Sequence, residues 1–137
     1  MPHANPPPSP SLVDAPAPTP VRLGVLLVED DPATYTALRM ILTRRGYDVT
    51  IVTHLDQALA ALAAGPDCII LDLMLPDGSG LQLLKKVREA NLSIRVLVTT
   101  GLNDPEELSA VSALKPDAIL RKPIDLGELL LRLSQVR

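Results

Sequence analysis

The sequence predicts one α/β domain: a five-stranded parallel sheet with five helices distributed over both faces. Three observations carry that prediction. Cys68 to Leu71 is an unbroken apolar run of strand length, ending in the carboxylate of Asp72; a strand without polar alternation suits the middle of a sheet covered on both faces. Runs of this kind recur five times, each followed by a stretch whose apolar residues repeat at helical spacing, the alternation that builds a parallel sheet. The 137 residues suffice for one such domain and not two.

Composition narrows the class. The chain is 47% hydrophobic and 21% charged, with two Tyr, no Phe and no Trp, so the core is built from Leu, Ile, Val and Ala. A net charge of -3 leaves no basic footprint for nucleic acid, and no direct DNA binding is expected. The one cysteine, Cys68, excludes a disulfide within the chain or a cysteine-based zinc site. No basic-then-apolar leader and no run long enough for a bilayer span is visible, so a cytoplasmic location is expected.

Residues 1–20 stand apart. They contain Pro2, Pro6, Pro7, Pro8, Pro10, Pro16, Pro18 and Pro20 with Ala, Ser and Thr between. Such a stretch has too little apolar surface to offset ordering entropy. It reads as a disordered tail, with the domain occupying 21–137.

The elements then follow in order. Val21 to Val28 is the first strand, leading to Glu29, Asp30 and Asp31. Pro32 opens the first helix, whose inward stripe is Ala37, Leu38, Ile41 and Leu42, with Gly46 as its stop. Tyr47 to Val52 is the second strand. Leu55, Ala58, Leu59 and Leu62 form the second helix, ended by Gly65 and Pro66. After the central strand, Pro76-Asp77-Gly78-Ser79-Gly80 turns the chain. A third helix runs from about Gly80 to Ala90, with Leu81, Leu84 and Val87 inward and Lys85, Lys86, Arg88 and Glu89 toward water. Ile94 to Thr99 is the fourth strand. Asn103 or Asp104 caps the fourth helix, Pro105 starts it and Leu108, Val111 and Leu114 form its stripe. Ala118 to Arg121 is the short fifth strand. Asp125 caps the last helix, with Leu126, Leu129, Leu130 and Leu133 inward and Leu131 off the stripe.

In a parallel sheet all strand ends of one sense share a rim, where open α/β folds bind their ligands. The first strand brings Glu29, Asp30 and Asp31 there, the third Asp72, the fourth Thr99 and Thr100, and the fifth Lys122. Carboxylates without His or Cys form a hard oxygen site that favours Mg²⁺. A carboxylate can attack phosphorus to give an aspartyl phosphate, while a lysine and a hydroxyl hold the phosphoryl oxygens. Each residue alone has an ordinary explanation as a helix cap, turn residue or surface lysine. Their joint placement at successive strand ends points to phosphoryl chemistry.

With these motifs in place, the chain resembles the receiver domain of two-component response regulators. The resemblance rests on Val28-Glu29-Asp30-Asp31-Pro32, on Leu71-Asp72-Leu73-Met74-Leu75-Pro76-Asp77-Gly78-Ser79-Gly80, on Val98-Thr99-Thr100-Gly101 and on Lys122-Pro123, in family order and spacing. It implies a flavodoxin-like sheet of order 2-1-3-4-5 and a cis peptide bond before Pro123. It implies Asp72 as phosphoacceptor and Mg²⁺ held by Glu29 (through water), Asp30, Asp72 and the backbone carbonyl of Met74. Thr99 and Lys122 would contact the phosphoryl group. The donor would be a sensor histidine kinase or a histidine phosphotransfer protein, or a small molecule such as acetyl phosphate. The chain departs from the family at Ile119, where an aromatic residue usually couples the switch hydroxyl to the surface.

Since the sequence ends after the fifth helix, the expected output is phosphorelay or contact with a downstream protein. The surface of strand five and the last helix is a candidate homodimer face, through Ile119 and Leu131. The domain is expected to catalyse only its own phosphoryl transfer and dephosphorylation, and so not to be an enzyme in the usual sense. Alternatives are a degenerate receiver that binds partners without phosphorylation, a haloacid-dehalogenase-type hydrolase and a nucleotide-binding module. Met74 stands where the hydrolase needs its second acid, and no Gly-x-Gly-x-x-Gly or Walker loop is present.

Overall fold

A computed structural model describes residues 22–101 and 103–136. The Pro-rich tail, its His3 and Val21 lie outside the described residues. Strands β1 (Gly24–Val28), β2 (Asp48–Val52), β3 (Cys68–Asp72), β4 (Arg95–Thr100) and β5 (Ala118–Arg121) form one sheet in the order β2-β1-β3-β4-β5. Every pairing in it is parallel. Helices α1 (Pro32–Arg44), α2 (Leu55–Ala61), α3 (Leu81–Glu89), α4 (Pro105–Ala113) and α5 (Leu126–Ser134) alternate with the strands.

Strand alternation divides the core in two. Leu26, Val28, Ile69, Leu71, Val96 and Val98 face α2, α3 and α4, meeting Leu55, Ala58, Leu83, Leu84, Val87 and Val111. Val25, Leu27, Cys68, Ile70, Leu97 and Leu120 face α1 and α5, meeting Leu38, Leu42, Leu129 and Leu133. All five residues of β3 are buried, as its uninterrupted apolar run requires. Cys68 is part of this packing; burial pushes its thiol up to about 12, so it is inert.

Several stripe residues sit elsewhere than expected. Ala37 is exposed, and α1 packs through Leu38 and Leu42, with Ile41 half-buried. Leu59 and Leu126 are 37% and 41% exposed. On α3, Leu83 is fully buried and Leu81 only half: Gly80, Leu83, Leu84 and Val87 form the i, i+3, i+4, i+7 face that meets the sheet, and Leu81 packs at its edge. The second helix tightens into a 3-10 turn at Leu62–Ala64, and Gly65 ends it in the left-handed region at φ 67°. Strands β1, β2 and β4 begin at Gly24, Asp48 and Arg95, later than Val21, Tyr47 and Ile94.

Arg88, expected in water, is instead an anchor. Its guanidinium donates to the carbonyls of Leu114 (3.1 Å) and Lys115 (2.8 Å), closing the end of α4. It also reaches Asp117, which accepts from the Val96 amide at 2.7 Å and pairs with Arg95 at 3.0 Å. Asp67 does the same for β1, accepting from the Gly24 amide at 2.7 Å. At the N-terminal rim, therefore, an acid just before a strand fixes the start of its neighbour. The other rim is left for chemistry.

Candidate functional site

The C-terminal ends of β1, β3, β4 and β5 bring Glu29, Asp72, Thr99 and Lys122 together as expected. The Asp72 carboxylate is 5% exposed and Glu29 is 2% exposed. Lys122 lies between them, its Nζ 3.1 Å from Glu29 Oε1 and 3.1 Å from Asp72 Oδ2. The other Asp72 oxygen, Oδ1, accepts from the Met74 amide at 3.1 Å. Glu29 Oε2 accepts from the amides of Asp30 (3.0 Å) and Asp31 (3.4 Å). The peptide bond between Lys122 and Pro123 is cis.

Two buried carboxylates share one ammonium, and the electrostatics reflect that. Glu29 is pushed up from 4.5 to about 7, first by burial and then by the adjacent Asp72, with Lys122 offsetting only part. Burial opposes the charge of Lys122, yet the hydrogen bonds and charges of Glu29 and Asp72 outweigh it, so its ammonium is held above the usual lysine range.

Carboxylate oxygens of Glu29, Asp30 and Asp72 lie within 4.8 Å of one another. Asp30 is exposed, open to a ligand, while the other two are buried. This all-oxygen donor set suits Mg²⁺, which keeps several waters and uses one or two carboxylates. Asp31 stands apart from it: its carboxylate caps α1, accepting from the Thr34 amide at 3.1 Å and hydroxyl at 2.6 Å. Those bonds hold Asp31 below the usual carboxylate range. Asp104, not Asn103, caps α4.

Thr99 is 2% exposed. Its hydroxyl donates to the Leu71 carbonyl across the strands at 3.5 Å. Ile119 is half-buried, pairs in register with Val98 and packs on the α2–α4 side of the core. Asn103, next to the Asp104 cap, accepts from Arg121 at 2.6 Å and so ties the β4–α4 loop to the end of β5. Leu131 is 58% exposed, as expected.

Gly80 reads from the sequence as a turn residue, yet its importance is spatial. A Cβ there would collide with the Asp72 carbonyl oxygen and come within 2.9 Å of Leu71 Cδ1 and 3.1 Å of Leu73 Cα. Its amide donates to the Leu73 carbonyl at 2.8 Å. Gly80→Ala is therefore expected to destabilise the domain by about 1–3 kcal/mol and to weaken metal binding by moving the Asp72 backbone. Chemical denaturation with and without Mg²⁺ checks both effects. An unchanged midpoint would refute the close-packing argument.

Comparison with known proteins agrees with this geometry. A family profile for the response regulator receiver domain matches residues 25–134. This chain belongs to the response regulator receiver family. Relatives include the transcriptional regulatory protein TrcR of Mycobacterium tuberculosis, 35% identical over 116 residues, covering 84% of this chain and 44% of that protein. The transcriptional regulatory protein DltR of Streptococcus agalactiae is 34% identical over 110 residues, covering 80% of this chain and 49% of that protein. The receiver thus spans less than half the length of either relative. Among solved structures, a CheY-like receiver domain protein from Methanospirillum hungatei superposes with a TM-score of 0.79 at 26% identity. It covers 84% of this chain and 93% of its own. A receiver protein from Pseudomonas putida gives 0.77 at 31% identity, covering 85% and 99%. The receiver family and its flavodoxin-like sheet are both as the sequence implied.

Proposed function

We propose that this receiver domain accepts a phosphoryl group on Asp72 from a histidine kinase or a histidine phosphotransfer protein, and that phosphorylation biases it between two conformations. The observation that carries this reading is the placement of Asp72. It is a buried carboxylate at a strand end, with an ammonium on one oxygen and two further carboxylates close by. An Asp72 oxygen attacks phosphorus as the donor's phosphorus–nitrogen bond breaks, and the imidazole leaves. Lys122 follows the charge from carboxylate to phosphoryl oxygen, and Thr99 turns its hydroxyl from Leu71 toward the same group. Glu29, Asp30, Asp72 and the Met74 carbonyl would hold Mg²⁺. When bound, the ion offsets the negative charge gathered by acceptor and phosphoryl group.

Output then occurs by contact with a downstream protein or by onward relay. The domain turns over no external substrate, because Met74 supplies no acid beside Asp72. The receiver fold itself makes no direct contact with DNA, a reading supported by the net charge of -3. A cytoplasmic setting follows from partnership with a kinase. Among the described residues no helix is long and apolar enough to cross a membrane. Self-association through β5 and α5 is a further proposal, supported by exposed Leu131; sedimentation that shows a monomer with and without a phosphoryl mimic would remove it. A second reading, phosphorylation-independent partner binding, is favoured by Ile119 alone, where no aromatic ring is available to turn inward.

The test is intact-mass analysis after incubation with acetyl phosphate and Mg²⁺, with a chelator control. The expected result is one phosphoryl adduct that disappears in chelator. Absence of both an adduct and Mg²⁺ binding would move the assignment to the phosphorylation-independent module.

A further inference from the structure

Asp77 was legible only as a turn residue, yet its carboxylate bonds to another element. Its Oδ1 accepts from the Leu55 amide at 2.6 Å and its Oδ2 from the Asp56 amide at 3.1 Å. These are the first two amides of α2, orphaned by helix geometry. The residue at the helix's own N-cap, His54, makes no side-chain capping bond. The cap is thus supplied from 21 and 22 positions away.

The other end of this connection is the phosphoacceptor. Met74–Leu75 and Gly78–Ser79 pair as a small antiparallel hairpin, with Asp77 in its turn. Met74, at the base of the hairpin, donates its amide to Asp72 Oδ1. The hairpin also sits tightly on α2: a Cβ on Gly78 would lie 3.0 Å from Leu55 Cδ2. On the far side, only Thr53 and His54 separate α2 from Val52, whose carbonyl accepts from the Glu29 amide at 3.1 Å. Lys122 then joins Glu29 to Asp72. The contacts close a ring from Glu29 through Val52, the start of α2, Asp77, the hairpin and Asp72 back to Glu29.

We infer that Asp77 is a positioning residue for the phosphoacceptor site: it braces the loop bearing the Met74 amide and carbonyl against the segment that supports Glu29. The inference rests on the reading of Asp72, Glu29 and Met74 as the phosphoryl and metal site. Asp77 touches neither Asp72 nor a ligand and acts only through the backbone between them. The start of α2 is thereby a lever on the site.

Asp77→Ala, Asp77→Asn and a control, Ala58→Gly, separate positioning from stability. Ala58 is buried in the middle of α2, so its replacement weakens the helix without touching the brace. All are measured well below their melting temperatures. In chelator, exchange of the Met74 amide is expected to quicken in Asp77→Ala and much less in Ala58→Gly. Mg²⁺ binding followed by amide chemical shifts is expected to weaken about tenfold in Asp77→Ala, the low end for a supporting group. Asp77→Asn, which keeps one acceptor for Leu55, should fall between, and Ala58→Gly should match wild type. Met74 exchange and Mg²⁺ affinity both within twofold of wild type in Asp77→Ala would overturn the inference. If wild type binds no Mg²⁺, the metal-site reading fails, and the exchange arm still decides whether Asp77 braces the loop.

Discussion

Asp72→Asn is expected to abolish phosphoryl labelling entirely and, in the same protein, to raise the stability of the metal-free domain. Both follow from one change of charge. An amide oxygen does not form the acyl phosphate, so the adduct is lost. The carboxamide keeps an oxygen for the Met74 amide, now 3.1 Å from Asp72 Oδ1. What disappears is one of two buried negative charges crowding a single ammonium. Lys122 then neutralises Glu29 alone; burial still raises Glu29, and the added repulsion from Asp72 is relieved. At pH 8, where Glu29 is ionised, a gain of about 1–2 kcal/mol is expected for removing a poorly compensated buried charge, visible as a higher denaturation midpoint in chelator. Mass analysis and denaturation of the same sample check the pair of outcomes. A surviving adduct would place the phosphoryl group on another residue. A marked loss of stability would mean that Asp72 is held by Lys122 at a net gain, and that the domain carries no electrostatic cost for its nucleophile.

The sequence revealed those parts of the molecule whose burial or topology leaves a local trace. The sheet was legible because strand burial leaves a plain trace: Cys68 to Leu71 is apolar throughout and lies in the middle of the sheet. The site was legible because parallel topology sends every strand end to one rim. Only side chains at those ends had to be read. The failures have a common cause. Gly80, Asp77 and Arg88 act through contacts between elements, and nothing in their local spacing records a partner 7 to 29 positions away. On α3 the spacing was ambiguous: Leu81 shares the i, i+3 spacing of Leu84 and Val87 but only flanks the face that Leu83 fills. Asp31 shows the reverse: its sequence context fitted either a ligand or a cap, and its bonds to Thr34 place it as a cap.

The second large effect concerns pH. In chelator, the metal-free domain is expected to become more stable as the pH falls from 8 to 5.5, opposite to the usual behaviour of a native carboxylate. Glu29 titrates near 7 when folded and near its ordinary value of 4.5 when unfolded. Above about 7 it is ionised in both states, and the folded state carries the full cost of burying that charge and of crowding it against Asp72. Between 7 and 4.5 the folded protein holds a proton that the unfolded chain releases, so acidification favours folding. At about 1.4 kcal/mol per pH unit, the gain is about 2 kcal/mol by pH 5.5. The depressed acids Asp31 and Asp77 oppose this only at lower pH, since their stabilisation is lost below their ordinary value of 3.8. The raised Lys122 is charged throughout the window. Glu29→Gln should flatten the profile, and a slope that persists in that variant would assign the proton elsewhere. Mg²⁺ adds a second readout. Its stabilisation should be greatest near pH 8, where Glu29 is already ionised, and should shrink toward pH 5.5 as protons compete for the same carboxylate. A Mg²⁺ effect independent of pH across that range would place the ion away from Glu29.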